Sequence, residues 1–154
     1  TISTILKMLM LTMIKNMLAS LQLPYGWWPK LVLFGLAAFF INVGVDHFVN
    51  PSFYLGIMPP ALPLHLEAVY ISGFFEIAGG VGVLIPRLRV FAGWGLIALL
   101  VAVYPANIYM LMTPEAFPDI PYEFLWLRMP FQFLFAYWAY TVTKPSYNPG
   151  AVPD

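Results

Sequence analysis

Cysteine is absent from the 154-residue chain, and charged residues are scarce, at 9% against 61% hydrophobic residues. The lack of cysteine excludes disulfides, thiol redox chemistry and thiolate ligation of iron–sulfur clusters. Soluble domains carry about 25% charged residues, and so few charges cannot cover a surface that faces water. Seven basic and seven acidic residues cancel, so the chain has no basic field for nucleic acid. The composition therefore predicts an integral membrane protein.

Four apolar segments reach the length of about 20 residues that a membrane-spanning helix requires. They extend from about Trp27 to Val45, Ala68 to Ile85, Val90 to Met112 and Phe124 to Thr143. Polar or proline-rich stretches separate them, and no internal repeat is visible. The sequence thus predicts an all-α fold, with a four-transmembrane-helix bundle over residues 24–144 and a C-terminal tail over residues 145–154.

Residues 1–23 are also apolar, but polar side chains interrupt them. On a helix that turns by about 100° per residue, four of these side chains fall on one face: Thr4, Lys7, Lys15 and Gln22. This pattern favours an N-terminal amphipathic helix that lies in the membrane interface and is anchored by its lysines. A signal-like segment is the alternative, although a compact charged start and a small-residue cleavage site are missing.

Basic residues favour one side of the predicted bundle. Six of the seven fall on that side if the four helices alternate: Lys7, Lys15, Lys30, Arg87, Arg89 and Lys144. Arg128 lies on the other side, together with the acidic loops. Because positively charged loops stay in the cytoplasm, both termini are expected to be cytoplasmic.

Glu76 stands near the middle of the second predicted helix, where an ionisable side chain needs a partner, a cavity or water. It either handles protons, binds the polar head of a ligand, or ties its helix to Arg128 or Asn107, and the tie is the simpler interpretation. Arg128 and Gln132 are four residues apart and share one face of the fourth helix. These residues predict a buried polar network.

Pro105 removes the amide that would bond the carbonyl of Val101, which predicts a kink beside Asn107. The kink is either satisfied locally or forms part of a ligand site, and a local kink is favoured. Glycines, among them Gly44, Gly73 and Gly79, predict close approach of neighbouring helices.

Asp46 and His47 end the first predicted helix, and their usual role at such a position is capping and loop hydrogen bonding. A metal site that also included His65 and Glu67 is the alternative. Adjacent helical residues point to different faces, whereas a metal requires three or four converging ligands. No metal is therefore predicted.

Four stretches in register between about residues 31 and 143 together resemble the DoxX-like family of small four-helix membrane proteins. They are Gly44–Pro51, Ile71–Gly82, Tyr104–Met110 and Leu127–Gln132. The resemblance implies a four-helix bundle in a bacterial inner membrane that is attached to a quinol-linked oxidation system. Its motif residues in this chain are His47, Glu76, Asn107, Arg128 and Gln132, the same polar residues that membrane physics singles out.

The leading functional hypothesis is a non-catalytic accessory subunit of a larger electron-transfer or energy-converting membrane complex, with membrane lipids and other subunits as partners. The alternative is a redox-linked protein that binds a quinone or a lipid head through Glu76, Arg128 and Gln132. No residue carries electrons, so any redox centre must come from a partner or a bound cofactor. No covalent cofactor is predicted, and bound quinone or structural lipid is the expected small molecule. A small transporter is a third hypothesis.

Overall fold

The computed structural model describes residues 2–148, without the side chains of Ile2 and Leu18. This part of the chain is all-helical, which confirms the predicted fold class. Its α-helices are α1 (Ile2–Ser20), α2 (Trp27–Val49), α3 (Pro51–Gly56), α4 (His65–Gly82), α5 (Arg89–Met112) and α6 (Tyr122–Thr141). Short 3-10 turns follow at Pro114–Ala116 and Pro145–Tyr147. Residue 1 and residues 149–154 of the predicted N-terminal and tail segments lie outside the described residues.

The four predicted apolar segments coincide with α2, α4, α5 and α6, with ends that shift by a few residues. Among the described residues, two helices, α2 and α5, have the length and apolar composition to cross a membrane. Only 33% of the apolar window of α2 and 22% of that of α5 are buried. The remaining residues of both windows are partly or fully exposed in the bundle.

The helices pack in the order α2, α4, α5 and α6, and α2 meets α6 only lightly. One apolar cluster fills the end of the bundle where α2 begins and α6 ends, with Leu33, Leu36, Leu96 and Ala139 at its centre. A smaller cluster of Ile57, Met110 and Leu125 fills the opposite end. The space between the two clusters, along the light contact of α2 with α6, remains open for a site.

Glycines set the separation of α2 and α4. A Cβ atom on Gly44 would lie 2.6 Å from the carbonyl oxygen of Gly73, and one on Gly73 would lie 2.6 Å from the Cβ atom of His47. Neither position has room for a larger residue, since such distances are shorter than van der Waals contact. The prediction that glycines permit close helix approach is confirmed at this crossing.

Helix α1 is exposed along its described length. Its apolar side chains include Leu6, which is 67% exposed, and Met13, which is 72% exposed. The described residues of α1 thus form a helix with an apolar surface that the rest of the bundle leaves open. Its predicted position in a membrane interface stays a prediction.

Arg89 is completely buried, although the sequence gives it no role beyond its charge. Its guanidinium donates hydrogen bonds to backbone carbonyls that follow α1, α4 and α6, an arrangement we call the Arg89 clasp. The acceptors are Leu21 (3.0 Å), Gln22 (3.1 Å), Val83 (2.8 Å), Leu84 (3.5 Å) and Tyr147 (2.5 Å). The clasp satisfies carbonyls that helix ends leave without partners. It also holds the segments that follow α1 and α6 against the start of α5.

Candidate functional site

A cavity of about 680 Å³ lies between α2, α4, α5 and α6, with α3 at one end. Its lining includes all five side chains that the sequence singles out: His47, Glu76, Asn107, Arg128 and Gln132. Each comes from a helix position that faces inward, so residues far apart in the chain meet in one space. The volume falls within the range of small-molecule sites, about 300–1,000 Å³.

A directed chain of hydrogen bonds crosses from α6 to α5 along one wall. Arg128 donates from Nε to Oδ1 of Asn107 over 3.0 Å, and Asn107 donates from Nδ2 to Oε1 of Gln132 over 2.7 Å. Gln132 in turn donates from Nε2 to the carbonyl of Leu100. Each amide therefore both donates and accepts, which fixes its orientation. The two terminal nitrogens of Arg128 have no hydrogen-bond acceptor among the described residues.

His47 and Glu76 face each other across the α2–α4 crossing, and their side chains are 8% and 9% exposed. The Nδ1 atom of His47 lies 2.9 Å from the carbonyl oxygen of Val43 and 3.1 Å from Oε2 of Glu76. A carbonyl only accepts, so Nδ1 carries a proton. This proton is directed at Val43, and Oε2 of Glu76 has no hydrogen bond with any described group. The tie expected from Glu76 to Arg128 or Asn107 is replaced by this contact with His47.

Tyr54, which the sequence analysis missed, holds His47 from the other side. Its ring stacks on the imidazole with centroids 3.6 Å apart, and its hydroxyl donates to Oδ2 of Asp46 over 2.8 Å. Asn50 donates to Oδ1 of the same carboxylate over 2.5 Å. Burial raises the pKa of the Tyr54 hydroxyl, and the hydrogen bond to Asp46 raises that pKa further. The proline that starts α3 after Asn50 was the available sequence signal for this short helix.

Six phenylalanines contribute to the remaining wall of the cavity. Phe39 of α2 stacks on Phe135 of α6 with ring centroids 4.5 Å apart, which closes the inner end. Phe53, Phe124 and Phe131 also line the cavity and are 44%, 61% and 45% exposed. These exposed rings mark a mouth at the outer surface beside α6. The cavity is thus polar at its centre and aromatic at its entrance.

The α2–α6 seam is fastened beyond this inner end. The indole nitrogen of Trp138 donates to the carbonyl of Val32 over 3.0 Å. A Cβ atom on Gly35 would lie 3.1 Å from the Trp138 ring, so a glycine leaves room for the indole. Helices α2 and α6 are therefore joined at one end and separated at the other, where the cavity opens.

A second cavity of about 340 Å³ lies beside the first, between α2, α3, α4 and α5. Its walls are apolar apart from His47, Tyr54 and Ser72. The stacked pair of His47 and Tyr54 lines both cavities. These two rings therefore form part of the partition between the cavities.

The alternative of a metal at Asp46, His47, His65 and Glu67 finds no support in the described residues, where no group of three or more His, Cys, Asp or Glu side chains is placed to hold an ion. The Nε2 atom of His65 lies 3.1 Å from the carbonyl oxygen of Pro59, which is a loop hydrogen bond. Asp46 accepts hydrogen bonds from Asn50 and Tyr54 instead.

Helix α5 continues through Pro105, and the side chain of Asn107 takes part in the chain of hydrogen bonds with Arg128 and Gln132.

Comparison with known proteins gives one family. A family model described as "Domain of unknown function (DUF8561)" matches residues 36–143, which include α2 from Leu36 onward and every polar residue of the cavity. No curated protein and no solved structure matches the chain. The resemblance to DoxX-like proteins therefore stays a prediction.

Proposed function

The chain belongs to the DUF8561 family of domains of unknown function, and we propose from the geometry of its cavity that it binds an amphipathic small molecule. The polar head of this molecule contacts the central side chains of the cavity, and its apolar part leaves past the phenylalanines of the mouth. The observation that carries the proposal is the meeting of five polar side chains from four helices in one cavity, each on an otherwise apolar helix.

The proposal includes a membrane as the surroundings of the bundle, with α2, α4, α5 and α6 all spanning it. Large apolar side chains on the outside of the helices support this placement, such as Phe74 (61% exposed), Phe91 (85%) and Phe133 (65%). A water-facing surface of this composition would aggregate. The distribution of basic residues supports cytoplasmic termini, and a bacterial inner membrane is the proposed location.

The side chains of the cavity match the chemistry of an oxygen-bearing head. Arg128 and the amides of Asn107 and Gln132 carry N–H groups of the kind that bond carbonyl or hydroxyl oxygens, and Glu76 lies in the same cavity wall. A quinone or a lipid head carries carbonyl or hydroxyl oxygens, and aromatic walls suit a flat ring or an acyl chain. The protein supplies binding and orientation, and any electron transfer would belong to the bound molecule or to a partner.

The experiment is purification of the tagged chain in a mild detergent, followed by mass spectrometry of the extracted lipids and quinones. Leu127 lines the mouth and is 39% exposed, so Leu127→Trp narrows the entrance without filling the core. The matched control is Leu134→Trp on the same helix, at a side chain that is 54% exposed and outside the cavity lining. We expect an enriched amphiphile that is lost in Leu127→Trp and kept in Leu134→Trp. Equal lipid extracts from all three proteins would contradict the proposal.

Helix α1 supports a second proposal, an accessory role in a larger membrane complex. Its exposed apolar surface, with Leu6 and Met13 at 67% and 72% exposed, is suited to docking on a partner helix. Leu6→Ser with Met13→Ser reduces this surface while keeping the backbone carbonyls of the Arg89 clasp. If co-purifying subunits stay bound to the double variant in wild-type amounts, α1 is not the docking element.

A further inference from the structure

We infer that the head of the bound molecule is an anion, and that it forms an ion pair with the terminal nitrogens of Arg128. This inference rests on the proposed function, because it names the chemical class of the molecule in the same cavity. It follows from the hydrogen bonds of Arg128, from a comparison with Arg89 and from the absence of an ion-pair partner for Arg128 among the described residues.

Arg128 is only partly satisfied by the described residues. A guanidinium has five N–H donors, and the one hydrogen bond of Arg128 runs from Nε to Asn107. The only ion pair among the described residues joins His47 to Glu76, so no described carboxylate lies within ion-pair distance of Arg128. The side chain is half-buried and lines the cavity. Its planar fork is the geometry that binds carboxylate or phosphate oxygens in pairs.

Arg89 shows how the same fold satisfies an arginine that has a purely structural role. Arg89 bonds backbone carbonyls through Nε and both terminal nitrogens. Each charged nitrogen therefore has an acceptor supplied by the chain itself. Arg128 has such an acceptor only at Nε, which leaves its fork for a group that the chain does not supply.

No other described ionisable group of the cavity lining forms an ion pair with Arg128. Oε2 of Glu76 lies 3.1 Å from Nδ1 of His47, so the carboxylate of the lining is directed at a different side chain. Asp46 lies outside the lining, and its two oxygens accept from Asn50 and Tyr54. Among the described residues, Arg128 is thus the charged side chain of the lining that has no ion-pair partner.

An uncompensated charge in a low-dielectric cavity favours a ligand of the opposite sign. The phenylalanine-lined mouth requires an apolar tail on the same ligand. A long-chain carboxylate has both properties and one head small enough for a central site. A phosphate monoester with one chain shares this oxyanion chemistry and is a comparison arm of the test.

The test uses stearic acid with a nitroxide spin label near the end of its chain, and the methyl ester of the same molecule, which has no charge. Each is added to the full-length protein in neutral detergent at about pH 9, where a carboxylate is ionised. Electron paramagnetic resonance then separates an immobilised, bound fraction from label that tumbles in micelles. We expect the acid to bind at least about tenfold more tightly than the ester, as a charge-assisted, two-point hydrogen bond implies.

Arg128→Gln should remove the preference for the acid over the ester. Arg87→Gln removes an exposed arginine outside the cavity and should keep the preference, which makes it the matched control. If Arg128→Gln does not fold, the comparison is made on the wild-type protein, with unlabelled hexadecanoate, hexadecyl phosphate and hexadecanol as competitors. Competition by both anions and not by the alcohol supports the inference, and the ratio of the two anions identifies the preferred oxyanion.

The outcomes separate the inference from the proposed function. Equal binding of acid and ester, abolished for both by Leu127→Trp, would overturn the anionic head and keep the cavity as a binding site. Binding of both that is unaffected by Leu127→Trp would be binding to the outer surface, and would overturn the proposed function as well. If Arg128→Gln still binds the acid more tightly than the ester, another cation causes this preference, and the inference is overturned.

Discussion

The Nδ1 atom of His47 lies 3.1 Å from Oε2 of Glu76, beside a close approach of α2 and α4. Gly44 and Gly73 make this crossing tight, since a Cβ atom on Gly73 would lie 2.6 Å from the Cβ atom of His47. The distance between the two ionisable groups therefore depends on two residues that have no side chain. The packing of the helix crossing therefore determines the geometry of two ionisable groups of the cavity.

Gly73→Ala tests this dependence. The added methyl group overlaps His47 and the carbonyl of Gly44, so α2 and α4 must separate. We expect the free energy of unfolding to fall by about 1–3 kcal/mol and the amphiphile found in the lipid extract to decrease. The measurements are thermal unfolding in detergent and mass spectrometry of bound lipid. In the control Gly95→Ala nothing lies within 4 Å of the new Cβ, and wild-type stability in both variants would contradict the account.

Asn107→Leu tests the hydrogen-bonded chain. Without the amide, Nε of Arg128 loses its acceptor and Oε1 of Gln132 loses its donor. A buried polar group left without a partner costs about 1–3 kcal/mol, so we expect lower stability than for Asn16→Leu, which replaces an exposed amide on α1. Chemical unfolding in mixed micelles gives the difference. A stability loss no greater than that of Asn16→Leu would show that the chain adds no net stability.

Arg89→Gln tests the Arg89 clasp. A glutamine amide has two donors where the guanidinium served five carbonyls, so several buried carbonyls lose their partners. We expect residues 21–24 to become sensitive to limited proteolysis and the unfolding temperature to fall. Arg87→Gln, at an exposed neighbour, should leave the cleavage pattern unchanged. Protection of residues 21–24 in Arg89→Gln would mean that other contacts hold this segment.

Tyr54→Phe tests a dependence on alkaline pH. Burial raises the pKa of the Tyr54 hydroxyl in the folded protein, and the unfolded value is about 10. The stabilisation is therefore complete below about pH 10 and decreases as the pH rises through the folded pKa, because the unfolded chain releases the proton first. We expect the stability advantage of wild type over Tyr54→Phe to be constant up to about pH 10 and to be smaller at about pH 11. Tyr25→Phe, at an 85% exposed ring, is the control, and a pH-independent difference would contradict the assignment.

The sequence predicts the long helices α2, α4, α5 and α6 and five of the side chains that line the cavity. Apolar length predicts α2, α4, α5 and α6, and the cost of polar groups among apolar ones singles out side chains such as Glu76 and Gln132 that the structure places in one cavity. Both inferences depend on one helix at a time. The interaction partners of these side chains depend on how two helices pack. Glu76 contacts His47 because glycine contacts set the register of α2 against α4.

Tyr54 and Arg89 escaped prediction for a related reason. Helix α3 is too short for a periodic signal, so Tyr54 had no recognisable position from which to reach His47. Arg89 reads as an ordinary loop cation, because its acceptors are backbone carbonyls that any residue provides. Backbone acceptors leave no mark in a sequence, and only the folded chain brings Leu21, Val83 and Tyr147 to one guanidinium.

The Arg89 clasp also has a consequence for biosynthesis. Its acceptors come from an early segment at Leu21 and Gln22 and from a late one at Tyr147. Tyr147 is synthesised after helices α1 to α6. During translation, Arg89 therefore exists before its last hydrogen-bond acceptor has been made. Completion of the clasp is therefore a late event of assembly, and it couples the two distant ends of the described chain only after the second of them has left the ribosome.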